Sequence, residues 1–207
     1  MDPMVKFFSV TILLILSISS TTTISFCSAF ERKSALKGVG KSTRKLLQPV
    51  EAHFQFYWHE SFSGPDASSI IIAGANSTDS GDKEFGTTYA FDNPLTVDPI
   101  PPNSTSDVIG NMQGFYVLTA KEKVALAVTL NLVLKDPVFK DSILSFQGRV
   151  DTDSKMREVP IVGGTGVFRG ATGYYVSQEV FSFPHSNIIL FDIYACIYSH
   201  QKLTQFM

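Results

Sequence analysis

The sequence predicts an all-β fold, a sandwich or closed barrel of eight or nine short strands. Three observations predict it. Apolar and other residues alternate with period two over 53–59 and again over 124–134. Gly, Pro, Asp and Asn separate the apolar runs at short intervals. No stretch after Glu51 carries a 3.6-residue apolar period.

Each element has its own warrant. Residues 53–59 (HFQFYWH) put Phe54, Phe56 and Trp58 on one face and His53, Gln55, Tyr57 and His59 on the other. Residues 68–73 are short and β-branched at Ile70, Ile71 and Ile72. Residues 85–91 are aromatic and rich in Thr, and Asp92-Asn93-Pro94 is expected to break that strand. Residues 114–118 (GFYVL) are a further candidate. Over 124–134, Val124, Leu126, Val128, Leu130, Leu132 and Leu134 share one face, and Ala125, Ala127, Thr129, Asn131 and Val133 the other. Candidates follow at 143–148, 159–162, 174–183 and 188–198. Eight strands close into a barrel that can hold one small ligand. The small, polar face of 124–134 is a candidate wall for such a cavity.

The N-terminus reads differently. Lys6 precedes an apolar run, Phe7 to Ile18, then a polar stretch and Cys27-Ser28-Ala29. This is the order of a secretory signal peptide over residues 1–29, with cleavage expected after Ala29. The run is too short to span a membrane of ~30 Å as a helix. Cleavage there removes Cys27 and leaves Cys196, set among apolar neighbours, as a buried, inert thiol. Export gives meaning to two glycosylation sequons, at Asn76 and Asn103.

Residues 30–50 carry six cations against Glu31 alone, a net +5. From Glu51 onward ten cations face seventeen acids, a net −7. The segregation marks 30–50 as a flexible basic segment ahead of a body at 51–200, with a C-terminal tail at 201–207. The whole chain of 207 residues has net charge −2 and 44% hydrophobic residues. That composition supplies a core and gives no pull toward nucleic acid.

Several motifs fail on spacing. Gly38-Val39-Gly40-Lys41-Ser42 lacks the first glycine of a phosphate-binding loop, because position 35 is Ala35. The glycine-rich run Val162–Gly170 places Arg169 where a dinucleotide fingerprint needs its third glycine. Its glycines point instead to positive φ or close backbone approach. The four His and two Cys have no metal-ligand spacing, so no metal or cofactor is expected. No GxSxG elbow is present. Glu60, beside His59 at the end of the first strand, is a candidate acid.

Five motifs occur in order: Phe56-Tyr57-Trp58-His59-Glu60, Phe91-Asp92-Asn93-Pro94-Leu95-Thr96, Ile109–Tyr116 (IGNMQGFY), Ser142–Arg149 (SILSFQGR) and Arg157–Arg169 (REVPIVGGTGVFR). Together they resemble the plant dirigent family over roughly residues 52–200. The resemblance implies an eight-stranded antiparallel barrel similar to allene oxide cyclase, usually trimeric, secreted to the apoplast. It implies a protein with no oxidising centre of its own. A laccase or peroxidase would make phenoxy radicals, and the pocket would steer their coupling toward one stereoisomer, as in lignan formation. The alternative implied by some relatives is a cyclase or dehydratase acting on a quinone methide or isoflavanol.

The resemblance also implies site residues. Glu60 takes the place of the family's His-Asp aspartate, and Arg157 that of the pocket arginine, as the catalytic pair. Tyr116, Thr165, Phe146 and Phe168 fall in matching motifs as substrate-binding candidates. Val150 stands where pinoresinol-forming members carry a second acid, and the neighbouring Asp151 points to the opposite face if the strand continues. The family's Asp-Asp-Pro is Asp92-Asn93-Pro94 here.

Overall fold

The computed structural model describes residues 49–74, 85–101 and 108–198. The segment expected as a signal peptide, nearly all of the basic segment, both sequons and the C-terminal tail lie outside the described residues. Nine strands follow one another: β1 (Val50–Ser61), β2 (Ser69–Ala73), β3 (Thr88–Thr96), β4 (Gly110–Leu118), β5 (Ala125–Leu134), β6 (Ile143–Asp151), β7 (Arg157–Gly164), β8 (Thr172–Phe183) and β9 (Ser186–Ile197). Single 3₁₀ turns occupy Pro137–Phe139 and Gly166–Phe168. Among the described residues no helix is long and apolar enough to cross a membrane.

The sheet closes. Its order is β1-β9-β8-β7-β6-β5-β4-β3, and β3 pairs back to β1 at Trp58–Leu95 and Tyr57–Thr96. All pairings are antiparallel, so this is an eight-lane barrel. The ninth strand shares a lane. β1 leaves the sheet after Ser61, and Ser69 of β2 takes the place opposite Phe91 on β3. This explains one departure from expectation. Asp92-Asn93-Pro94 does not break β3, because Pro94 sits past the last β1–β3 pair, where the ladder needs no N–H from it.

Period two decides what faces inward. Phe56, Trp58 and Glu60 of β1 are buried in the interior, as are Leu130 and Leu132 of β5 and Phe191 and Ile193 of β9. The β5 faces are reversed from expectation. The Val and Leu face lines the cavity, while Thr129 and Asn131 face out and Asn131 accepts from Ser145 Oγ at 2.8 Å. An apolar wall gains from burial, ~25 cal/mol per Å2, and a polar one does not.

One end of the barrel is plugged by aromatic rings. Phe54 meets Phe139 edge-on at 5.9 Å and Phe168 at 6.1 Å, and Phe139 stacks on Phe168 at 5.4 Å. The glycine-rich run seats this plug. A Cβ on Gly164 would stand 2.6 Å from both the Phe168 Cβ and its carbonyl oxygen, and Gly166 adopts φ +56° against Ser142. Cys196 is buried on the outer face and is disulfide-bonded, which corrects the expected free thiol. The chain's other cysteine, Cys27, lies outside the described residues.

Candidate functional site

The opposite half of the barrel encloses a cavity of about 770 Å3. Its walls come from β2, from β8, from the C-terminal halves of β1, β4 and β6 and from the N-terminal halves of β3, β5, β7 and β9. Antiparallel order brings these ends together, so residues far apart in sequence share one chamber. The volume lies in the range of small-molecule sites.

Glu60 is the most constrained polar group in it. Parity with Trp58 turns it inward, and only 4% of the residue is exposed. Ser69 Oγ donates to its Oε1 at 2.9 Å and Tyr116 Oη to the same oxygen at 3.2 Å. Asn187 Nδ2 donates to Oε2 at 3.3 Å. Burial pushes the Glu60 pKa up, against these three hydrogen bonds, and the negative charge of Glu179 pushes it further the same way. The carboxyl therefore holds its proton above the ordinary range. Tyr116, stacked on Tyr89 at 4.9 Å, is held protonated by burial and by its proximity to Glu60.

Buried polar groups also tie the strands that flank Glu60. Asn93 is fully buried. Its amide oxygen accepts from Trp58 Nε1 at 2.5 Å and its nitrogen donates to the Ser68 carbonyl at 3.2 Å. His59 faces outward, and its Nε2 lies 2.6 Å from Thr96 Oγ1. Its Nδ1 has no partner among the described residues, and burial lowers its pKa, so it is neutral.

Arg157 opens β7 on the far side of the chamber. Its Nη2 donates to the Thr152 carbonyl at 2.9 Å and its Nε to that of Ser154 at 3.3 Å. Glu179 Oε2 stands 3.9 Å from Nη2. The structure thus brings Glu60, Tyr116 and Arg157 to one cavity.

It does not bring the other three candidates there. Phe146 is wholly buried beneath the cavity wall, edge-on to Tyr175 at 5.2 Å. Phe168 belongs to the aromatic plug at the closed end. Thr165 lies at that end too, its Oγ1 accepting from the Ile143 N–H at 3.1 Å. These motif positions build the barrel rather than line its cavity. Val150 is in the cavity wall, while Asp151 points outward to Lys123, as alternation requires. Asn76 and Asn103 lie outside the described residues. Among the described residues no His, Cys, Asp and Glu group is arranged to hold a metal ion.

The model of the dirigent family, described as dirigent-like protein, matches residues 51–196. The chain belongs to the dirigent family. It is 37% identical over 128 residues to dirigent protein 21 of Arabidopsis thaliana, covering 62% of this chain and 66% of that one. It is 38% identical over 123 residues to pterocarpan synthase 1 of Glycyrrhiza echinata, covering 59% and 64%. These matches span about two thirds of the curated relatives' length. The solved structure of the pterocarpan synthase dirigent protein GePTS1 superposes with TM-score 0.68 and 32% identity, over 75% of this chain and 90% of that one. The barrel described above is the dirigent barrel.

Sequence reasoning missed part of this dirigent cavity. Ser69, Asn187, Tyr175 and Glu179 all line it. The signal for Tyr175 and Glu179 was parity within 174–183, where Tyr175, Ser177 and Glu179 share a face. A bulge between Glu179 and Phe181 then shifts the register, which no pattern in the sequence announced.

Proposed function

We propose that this dirigent protein cyclises a phenolic quinone methide, formed from an isoflavanol-type precursor, with Glu60 as the proton donor. The observation that carries the reading is the Glu60 carboxyl, buried, fixed by three donors and pushed toward its protonated form. A quinone-methide oxygen gains basicity as an internal hydroxyl attacks the methide carbon. A positioned acid with a raised pKa protonates it at that moment, a contribution of typically 10²–10⁴ in rate. The isoflavanol loses its benzylic hydroxyl and a phenolic proton as water to give the quinone methide; the ring closure that follows is an isomerisation, in which one C–O bond forms, the ring regains aromaticity, and no electron leaves the substrate. The apolar β5 wall and the Tyr89–Tyr116 stack hold aromatic rings and fix which face is attacked. Similarity to proteins named pterocarpan synthase supports this chemistry over its alternative.

A second reading is steering of phenoxy radical coupling, with radicals from a laccase or peroxidase. What favours it is a chamber of about 770 Å3 with the Tyr89–Tyr116 stack in one wall and the apolar β5 face in another, surfaces for two rings. The two readings share one test. The secreted protein is incubated with a racemic isoflavanol without oxidant, and separately with coniferyl alcohol and laccase. Products are resolved by chiral chromatography. Enantiomer-selective product without oxidant is expected. Its absence, with a shifted enantiomer ratio only under laccase, overturns the cyclase reading in favour of the second. Export to the apoplast and a homotrimer are part of the proposal, supported by the N-terminal pattern and the family resemblance.

A further inference from the structure

The cavity has a second polar arc that the Glu60 cluster does not touch. Tyr175, Ser177 and Glu179 alternate along the inner face of β8, and Arg157 stands beside them on β7. In the closed ring β8 lies four lanes from β4, which carries Tyr116. This arc therefore faces Tyr116 across the chamber.

Two features of the arc turn polar groups toward the cavity. The Tyr175 ring is wedged between Phe146, at 5.2 Å, and Phe191, at 4.7 Å, and the residue is 1% exposed. Its hydroxyl has no hydrogen-bond partner among the described residues. That hydroxyl ends at the cavity surface, where a phenylalanine would fill the same space and offer a ligand no hydrogen bond. Arg157 is anchored by the Thr152 and Ser154 carbonyls, yet Glu179 stops 3.9 Å short of it. At that spacing the two form an ion pair without a hydrogen bond, and both line the cavity, so an oxygen seated beside them can accept from Arg157 and donate to Glu179.

We propose that Tyr175, Arg157 and Glu179 form a second station that binds the attacking phenolic hydroxyl of the substrate, with Glu179 as the base that takes its proton. This rests on the cyclase reading above and completes it. The hydroxyl oxygen forms the new C–O bond and its proton passes to Glu179. The Glu60 proton passes to the quinone-methide oxygen, and the electron pair of the methide bond returns to the ring. Glu179 is 39% exposed in its side chain and releases its proton to solvent. Glu60 regains one from solvent, so the cycle is proton-neutral. Val150 has left the second-acid position, and Glu179 supplies a carboxylate from another strand.

The test uses the full secreted chain and a 2′-hydroxyisoflavan, which lacks the leaving hydroxyl and so does not react, beside its 2′-O-methyl ether. The wild type is expected to bind the free hydroxyl about tenfold or more tighter than the ether. Tyr175→Phe and Glu179→Gln are expected to lose most of that preference while binding the ether as the wild type does. Glu179→Gln is also expected to lower kcat of oxidant-free cyclisation. Equal binding of hydroxyl and ether by the wild type, binding of neither, or an unchanged preference in both variants overturns the station. Wild-type protein that keeps the preference but never turns over leaves the station standing and removes the cyclase reading.

Discussion

Replacing Glu60 with glutamine separates the acid's chemistry from its contribution to folding. The amide matches the carboxyl in shape. Its oxygen still accepts from Ser69 and Tyr116, at 2.9 and 3.2 Å in the wild type. Its NH₂ meets the Asn187 donor, so one contact of 3.3 Å is lost, about 0.5–1.5 kcal/mol. Against that, the variant no longer buries an ionisable group. The folded-state pKa of Glu60 lies above its ordinary value of 4.5, so the folded protein binds the proton more tightly than the unfolded chain. Stability from this group is complete below pH 4.5 and is lost as pH rises through the folded pKa. Each pH unit in that window costs about 1.4 kcal/mol, and the glutamine variant does not incur the cost. Glu60→Gln is therefore expected to melt within a few degrees of wild type at neutral pH and to show a flatter pH profile above 4.5. Its turnover is expected to fall by about 10²–10⁴, or roughly 3–5 kcal/mol in barrier. Thermal melts from pH 4 to 8 beside oxidant-free turnover decide the matter. Wild-type turnover in the variant, or an unchanged pH slope, refutes the reasoning.

Other perturbations act elsewhere. Phe168→Ala empties the aromatic plug at the closed end, and a loss of about 3–5 kcal/mol is expected in denaturant unfolding. Thr165→Val removes the acceptor for the Ile143 N–H, so a loss of about 1 kcal/mol with unchanged turnover is expected; a drop in turnover at full stability would return Thr165 to the site. Asp192→Ala removes the outer-face partner of His53 and the acceptor for the Tyr194 hydroxyl; both contacts are partly exposed, so unfolding should shift by no more than about 1–2 kcal/mol and the enantiomer ratio not at all.

The strands were legible in the amino-acid order alone, because a two-residue alternation survives wherever one face is buried. It set Phe56, Trp58 and Glu60 on one face of β1, and the barrel kept them there. Ordered motifs then pointed to the family and to Glu60, Tyr116 and Arg157, which one cavity does hold. Motif matching could not separate ligand contact from scaffold: Phe146, Phe168 and Thr165 sit in equally good matches and serve the core and the plug. Local pattern also misread Pro94, whose tolerance depends on where β1 stops pairing. It inverted β5 as well, since alternation gives two faces without saying which is inside. Only closure of the ring decided those questions. It set β8 across from β4, brought Glu179 within 3.9 Å of Arg157, and placed Ser69 and Asn187 on Glu60 from strands 9 and 127 residues away. Proximity of that kind depends on register and strand order around the barrel, which arise from all eight lanes packing at once.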